Sequence, residues 1–201
     1  MITIIDYGAG NITSVEKALR HLGHRALVTC DPGEVRRATK LVLPGVGHFA
    51  STKRIESSGI RAAVEEAIRR GVPFLGICVG MQWLYERSSE APDVRGLGAL
   101  SGTVDRFAEC DGHKVPHVGW NKIRKIDHQS RLLRDIADES FAYYTHSYQA
   151  PAGENVVATT SYGCTFAAVV ERGNIFGVQF HPEKSSAMGL KVLQNFCELP
   201  A

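Results

Sequence analysis

Apolar positions fall into two regimes along the chain. In the first half, short apolar runs alternate with stretches in which apolar residues recur every three or four positions. Ile2 to Ile5 reads as a buried strand, and Asn11 stands where it can cap a helix carrying Ile12, Val15, Leu19 and Leu22 on one face. Ala26 to Thr29 and Leu41 to Leu43 read as the second and third strands. Ile60, Ala63, Val64, Ala67 and Ile68 mark a helix that Gly71 closes, and Phe74 to Ile77 is the fourth strand. This rhythm predicts an α/β fold with a parallel central sheet covered by helices on both faces, a three-layer arrangement in which ligands gather at the carboxyl ends of the strands.

From about Gly96 the pattern shortens. Thr103 to Phe107, Lys114 to Val118, Phe141 to Gln149, Val156 to Tyr162, Phe166 to Arg172 and Ile175 to Phe180 read as strands. Crossover helices do not fit between most of them, which predicts antiparallel additions to the parallel half. A final helix over about Ser186 to Glu198, with Met188, Val192, Leu193 and Phe196 as its stripe, closes the sheet.

A chain of 201 residues that is 44% hydrophobic fits one domain, residues 1–201. A net charge of +2 with acids and bases interspersed leaves no electrostatic footprint for nucleic acid or an anionic membrane. The opening apolar run meets Asp6 too early for a signal peptide, and no run approaches membrane-spanning length. Five scattered cysteines without a Cys-x-x-Cys pair suit a reducing compartment. A cytoplasmic protein without disulfides is expected.

The chemistry gathers at Val72 to Gln82. A strand-like run breaks at Gly76-Ile77-Cys78-Val79-Gly80 and continues as a helix with Met81, Leu84 and Tyr85 at helical spacing. Small residues on both sides of Cys78 permit the sharp strand-to-helix elbow that exposes a nucleophile, and the amide groups that open the helix favour a thiolate. The plainer alternative is a small packed hydrophobe between two glycines. Near the other end, Val178-Gln179-Phe180-His181-Pro182-Glu183 ends a strand at a histidine, and extended backbone would set Glu183 on the same face. An imidazole oriented by a carboxylate and facing a thiol makes a nucleophile, a base and an acid. His146 competes as the base but has Tyr148, not an acid, two residues on.

With Gly76-Ile77-Cys78-Val79-Gly80-Met81-Gln82 and Gly177 to Ser185 in hand, the chain resembles the class I, or triad, glutamine amidotransferases and their flavodoxin-like fold. Within them it is most similar to the glutaminase subunits of imidazole glycerol phosphate synthases, through Asp6-Tyr7-Gly8-Ala9-Gly10-Asn11, Pro44-Gly45-Val46-Gly47, Pro116 to Asn121 and Tyr143 to Tyr148. The likeness covers nearly the whole chain; Val79, where the family more often has leucine, departs from it.

The resemblance implies Cys78, His181 and Glu183 as the triad. It implies Gly45, Val46 and Gly47, with the amide of Val79, as the oxyanion loop, and Gln82, Gly47, Ser147 and Tyr148 as glutamine contacts. It also implies a (β/α)₈-barrel cyclase partner, which uses the ammonia to form imidazole glycerol phosphate and aminoimidazole carboxamide ribonucleotide in histidine biosynthesis, and no cofactor. Trp120, in a turn the family places near the partner, Lys184, which follows the triad acid, and Asn11, on the carboxyl-end side of the sheet, are the expected interface. Another pathway's glutaminase subunit, or a cysteine hydrolase of the same fold acting alone, is the alternative.

Two further patterns carry less. Gly45-Val46-Gly47 with Ala50 fits a dinucleotide fingerprint but follows the third strand, where such a motif belongs after the first. Cys110-x-x-His113 with His117 has a metal-ligand look and lacks a second cluster, so a surface turn and no metal are expected.

Overall fold

The computed structural model describes residues 1–108 and 113–200. Strands β1 (Ile2–Ile5), β2 (Ala26–Thr29), β3 (Leu41–Gly45) and β4 (Phe74–Cys78) alternate with helices α1 (Ile12–His21), α2 (Pro32–Arg37), α3 (Lys53–Ser57) and α4 (Ile60–Arg69). After the single turn α5 (Val79–Gln82) come β5 (Tyr85–Ser88), β6 (Leu100–Arg106), β7 (His117–Lys122), β8 (Arg124–Lys125), β9 (Phe141–His146), β10 (Tyr148–Gln149), β11 (Val156–Tyr162), β12 (Cys164–Arg172) and β13 (Ile175–Val178), and α6 (Ser186–Glu198) ends the chain.

Eight strands form one mixed sheet in the order β2-β1-β3-β4-β13-β12-β11-β8, parallel from β2 to β13 and antiparallel beyond. Every residue of β1, β3, β4 and β13 is buried, as central parallel strands under helices on both faces require. Helix α1 turns Val15, Ala18 and Leu19 to the core and packs beside α6; α4 turns Ile60, Ala63, Val64 and Ala67 inward and packs beside α2. Two small sheets, β10-β6-β5 and β7-β9, flank the main one.

The parallel half and the final helix are where the hydrophobic pattern predicts them. The β-rich half differs in pairing. The strand read as Ile175 to Phe180 ends at Val178 and, although antiparallel to β12, lies parallel to β4, with Val178 opposite Ile77. The Lys114 to Val118 run becomes a strand only from His117, because Pro116 has no N–H for a ladder. The Phe141 to Gln149 run breaks at Ser147, whose carbonyl accepts from Phe107, so its two halves pair with β7 and β6. The helix expected through Tyr85 stops at Gln82. The carbonyls of Trp83, Leu84 and Tyr85 accept from Leu97, Leu100 and Gly98, which turns that segment into a strand edge.

Because β3, β4 and β13 are adjacent and parallel, the segments leaving their carboxyl ends meet along one edge of the sheet. Gly45 is paired with Cys78, and His181 lies three residues past the end of β13.

Candidate active site

Cys78 sits at the tip of β4 with φ 53° and ψ −109°, a conformation an L-residue holds only when its surroundings enforce it. The enforcement comes from glycines. A Cβ on Gly80 would land on the carbonyl oxygen of Leu43, and one on Gly76 would meet the carbonyl of Gly80, so the elbow closes onto β3 and β4 only without side chains there. Cys78 is buried and, with His181, lines a cavity of about 290 Å³. Val46, Gly47, Val79, Gln82, Ser147 and Tyr148 line the same cavity. Gly45 does not: it lies beneath, where a Cβ would come within 2.7 Å of the Gly80 nitrogen and Val79 Cβ.

His181 is extended, and its N–H donates to the carbonyl of Tyr143. The chain then enters a 3-10 turn, Pro182–Lys184, rather than the extended course expected from sequence. The turn still delivers Glu183: His181 Nδ1 donates to Glu183 Oε1 at 3.0 Å, and both side chains are almost wholly buried. Asn11, expected as a helix cap, makes no cap bond; its Nδ2 donates to the same Oε1 at 3.2 Å. The Nε2 of His181 is buried and lacks a hydrogen-bond partner. Burial disfavours the imidazolium, but Cys78 and Glu183 together outweigh it and carry the His181 pKa up to about 10. An imidazole oriented by Glu183 therefore shares the cavity with the sulfur.

The rival histidine is built for the opposite state. His146 Nδ1 donates to the carbonyl of Tyr148 at 2.8 Å, and Nε2 lies 3.1 Å from Nδ1 of His117. Burial, helped by the charges of His117 and His181, lowers its pKa to about 3; burial, then His113, lowers His117 to about 4. Both folded values lie below the usual 6.5, so the unfolded chain takes up more protons in between, and stability is lost as pH falls from about 6.5 toward 4. Thermal unfolding between pH 7 and 4.5 is expected to show a falling midpoint, with a shallower slope in His146→Phe; equal slopes would refute it.

Three contributors are absent from the sequence reading. Glu90 lines the cavity and accepts the Phe49 N–H at 2.7 Å, but it stands in a polar run with no pattern to mark it. The hydroxyl of Tyr7 is buried without a partner against Gly45, and burial, then the charge of Cys78, raises its pKa, so it stays neutral. Gln179 lies between Cys78 and Gln82. Of the expected interface residues, Trp120 is 52% exposed and packs edge-on against Tyr143, over whose ring the Lys184 ammonium sits at 5.9 Å. Asn11 donates its amide to Glu183. Cys110 lies outside the described residues, and His117 stacks between Tyr144 and Tyr162. Among the described residues no cluster of three or more metal-ligating side chains occurs, and no helix is long and apolar enough to cross a membrane.

The family model for class-I glutamine amidotransferases matches residues 3–199, and the chain belongs to that family. It is 50% identical over 201 residues to the imidazole glycerol phosphate synthase subunit HisH of Moorella thermoacetica, covering 98% of this chain and 94% of the relative. It is 48% identical over 200 residues to the subunit of that name from Methanothermobacter thermautotrophicus, covering 99% and 98%. Among solved structures, a glutamine amidotransferase superposes with a TM-score of 0.76 at 20% identity, covering 98% of both chains. PurLQS from Thermotoga maritima superposes at 0.73 and 19% identity, covering 98% and 96%; these two likenesses speak to the fold.

Proposed function

We propose that this chain is the glutaminase subunit of an imidazole glycerol phosphate synthase, one domain that hydrolyses glutamine in the cytoplasm and hands the ammonia to a cyclase. The observation that carries the reading is that Cys78 and His181 line one cavity while the buried Glu183 holds His181 from behind, set beside a relative of 50% identity that bears the name of that subunit.

In this reading the Cys78 sulfur attacks the side-chain carbonyl carbon of glutamine. The oxyanion is met by the Val79 amide and the Gly45-Val46-Gly47 loop, whose Gly47 holds φ 92° at the cavity wall. His181 takes the thiol proton and gives it to the departing nitrogen, so ammonia leaves and a glutamyl thioester remains. His181 then takes a proton from water, which adds to the thioester and frees glutamate and the thiol. The Glu90 carboxylate suits the substrate's α-ammonium, and Gln82 with the Ser147–Tyr148 backbone suits the rest of its polar head.

The partner is a (β/α)₈-barrel cyclase, and its docking face is the outside of β7 and β9. Val118, Trp120 and Phe141 are 56%, 52% and 54% exposed there, and the pairing Trp120–Tyr143 and Lys122–Phe141 puts them on one side of the ribbon. Glutamate release measured with and without the cyclase tests the whole reading: stimulation supports it, and equal rates support a hydrolase acting alone. Trp120→Ala and Lys184→Ala are each expected to weaken association, about tenfold for the tryptophan, while basal hydrolysis hardly changes. A titration against the cyclase showing unaltered affinity and stimulation for both would remove these residues from the interface.

A further inference from the structure

Gln179 is completely buried, although a leucine would fill a similar space without desolvating an amide. Its amide sits in a chain whose directions can be read from one end. The carbonyl of Tyr148 can only accept, so Gln82 must present its Nε2 to it, at 3.0 Å. The same Nε2 lies 3.2 Å from the Gln179 side chain, which must therefore offer its oxygen. With the oxygen so committed, the Gln179 NH₂ faces the sulfur of Cys78 at 3.7 Å. The reverse orientation would set two NH₂ groups against each other and a carbonyl oxygen against the nucleophile.

We infer that Gln179 is a working part of the nucleophile: its side-chain amide donates to the Cys78 sulfur, favouring the thiolate over the thiol, with Gln82 and the Tyr148 carbonyl fixing its direction. The physical basis is differential. At 3.7 Å the bond to a neutral thiol is weak, whereas a thiolate is a far better acceptor, so the donor stabilises the charged form more. The sulfur then has a neutral amide as its donor on one side and shares the cavity with the His181 imidazole. The inference rests on Cys78 being the nucleophile and deepens that reading, because the residues at the cavity wall and the reacting sulfur share one hydrogen-bond chain.

The test reads the thiol directly. Alkylation of Cys78 by iodoacetamide, followed peptide by peptide in a mass spectrometer so that exposed Cys30 and Cys164 do not count, is measured from pH 5 to 10. In Gln179→Met the Cys78 rate at pH 7 is expected to fall about fivefold, with the limiting rate at high pH unchanged. Gln179→Glu keeps an acceptor toward Gln82 and removes the donor, and should move the profile further the same way. An unchanged profile in either folded variant overturns the inference.

If neither variant folds, the wild-type protein decides. The side-chain NH₂ resonances of Gln179 should shift with pH at the same midpoint as Cys78 alkylation and stay flat in Cys78→Ala; flat resonances in wild type also overturn it. None of these readouts requires glutamine turnover, so an absent glutaminase activity would sink the proposed function without deciding this point.

Discussion

Cys78→Ala is expected to abolish glutamate production, lowering turnover by about 10³-fold or more, while the protein still folds and still binds the cyclase. The elbow explains why the loss is confined to chemistry. Its geometry is imposed by Gly76 and Gly80 and by the pairing of β4 with β3 and β13, none of which involves the sulfur. Alanine at a positive φ retains the strain cysteine already bears. The cyclase in the mutant complex should therefore still form product from added ammonium while failing with glutamine. Glutamate release above a few per cent of wild type, in protein verified by mass, would show that another group attacks the amide. Alanine at Cys30, Cys164 or Cys197 should change stability at most.

His181→Ala is expected to cost more than Glu183→Gln, about 10³- to 10⁵-fold in turnover against about 10- to 10³-fold. In the proposed mechanism the histidine supplies the proton that the leaving nitrogen needs, and alanine supplies none. Glu183 acts through its Oε1, which accepts from both His181 Nδ1 and Asn11 Nδ2. A glutamine oxygen can accept the same two bonds, so orientation survives and the negative charge is what is lost. That charge helps hold the His181 pKa up against burial, so the Gln variant should lose its alkaline limb at lower pH than wild type. Single-turnover thioester formation separates the roles. If His146→Ala slowed it as much as His181→Ala, the assignment of the base would be reversed, against the neutral state that burial imposes on His146 despite the opposite pull of the Tyr148 carbonyl.

The parallel half of the fold was legible because its signals are local: continuous apolar runs for β1, β3 and β4, a 3.6-residue period for α1 and α4, and glycines at the elbow. The antiparallel half was read in position more than in partnership, since nothing in Ile175 to Val178 states which neighbour it will lie beside. Helices α2 and α3, of six and five residues, and the edge strands β5 and β8, of four and two mostly polar residues, are missed because such short segments carry no apolar period to detect. At the site, Cys78, His181 and Glu183 were visible as residue types in telling surroundings. Glu183 nevertheless reaches His181 by a turn, and Asn11 reaches Glu183 from 172 residues away, a contact that only the closed sheet creates. Glu90, Tyr7 and Gln179 owe their places to tertiary packing, which the linear order does not disclose.

One small arrangement ties the outside of the molecule to its inside. The Tyr143 carbonyl accepts from the His181 N–H, and the Tyr143 N–H donates to Ser185 Oγ, whose hydroxyl donates in turn to the His181 carbonyl. A clasp therefore grips the backbone of His181 at both its polar ends, and the residue holding it shows its own ring to Trp120 and Lys184 at the surface. A single residue of β9 thus presents one side to the outer surface and holds the frame of the candidate base with its backbone, so the surface around Trp120 and the cavity are separated by the thickness of one strand.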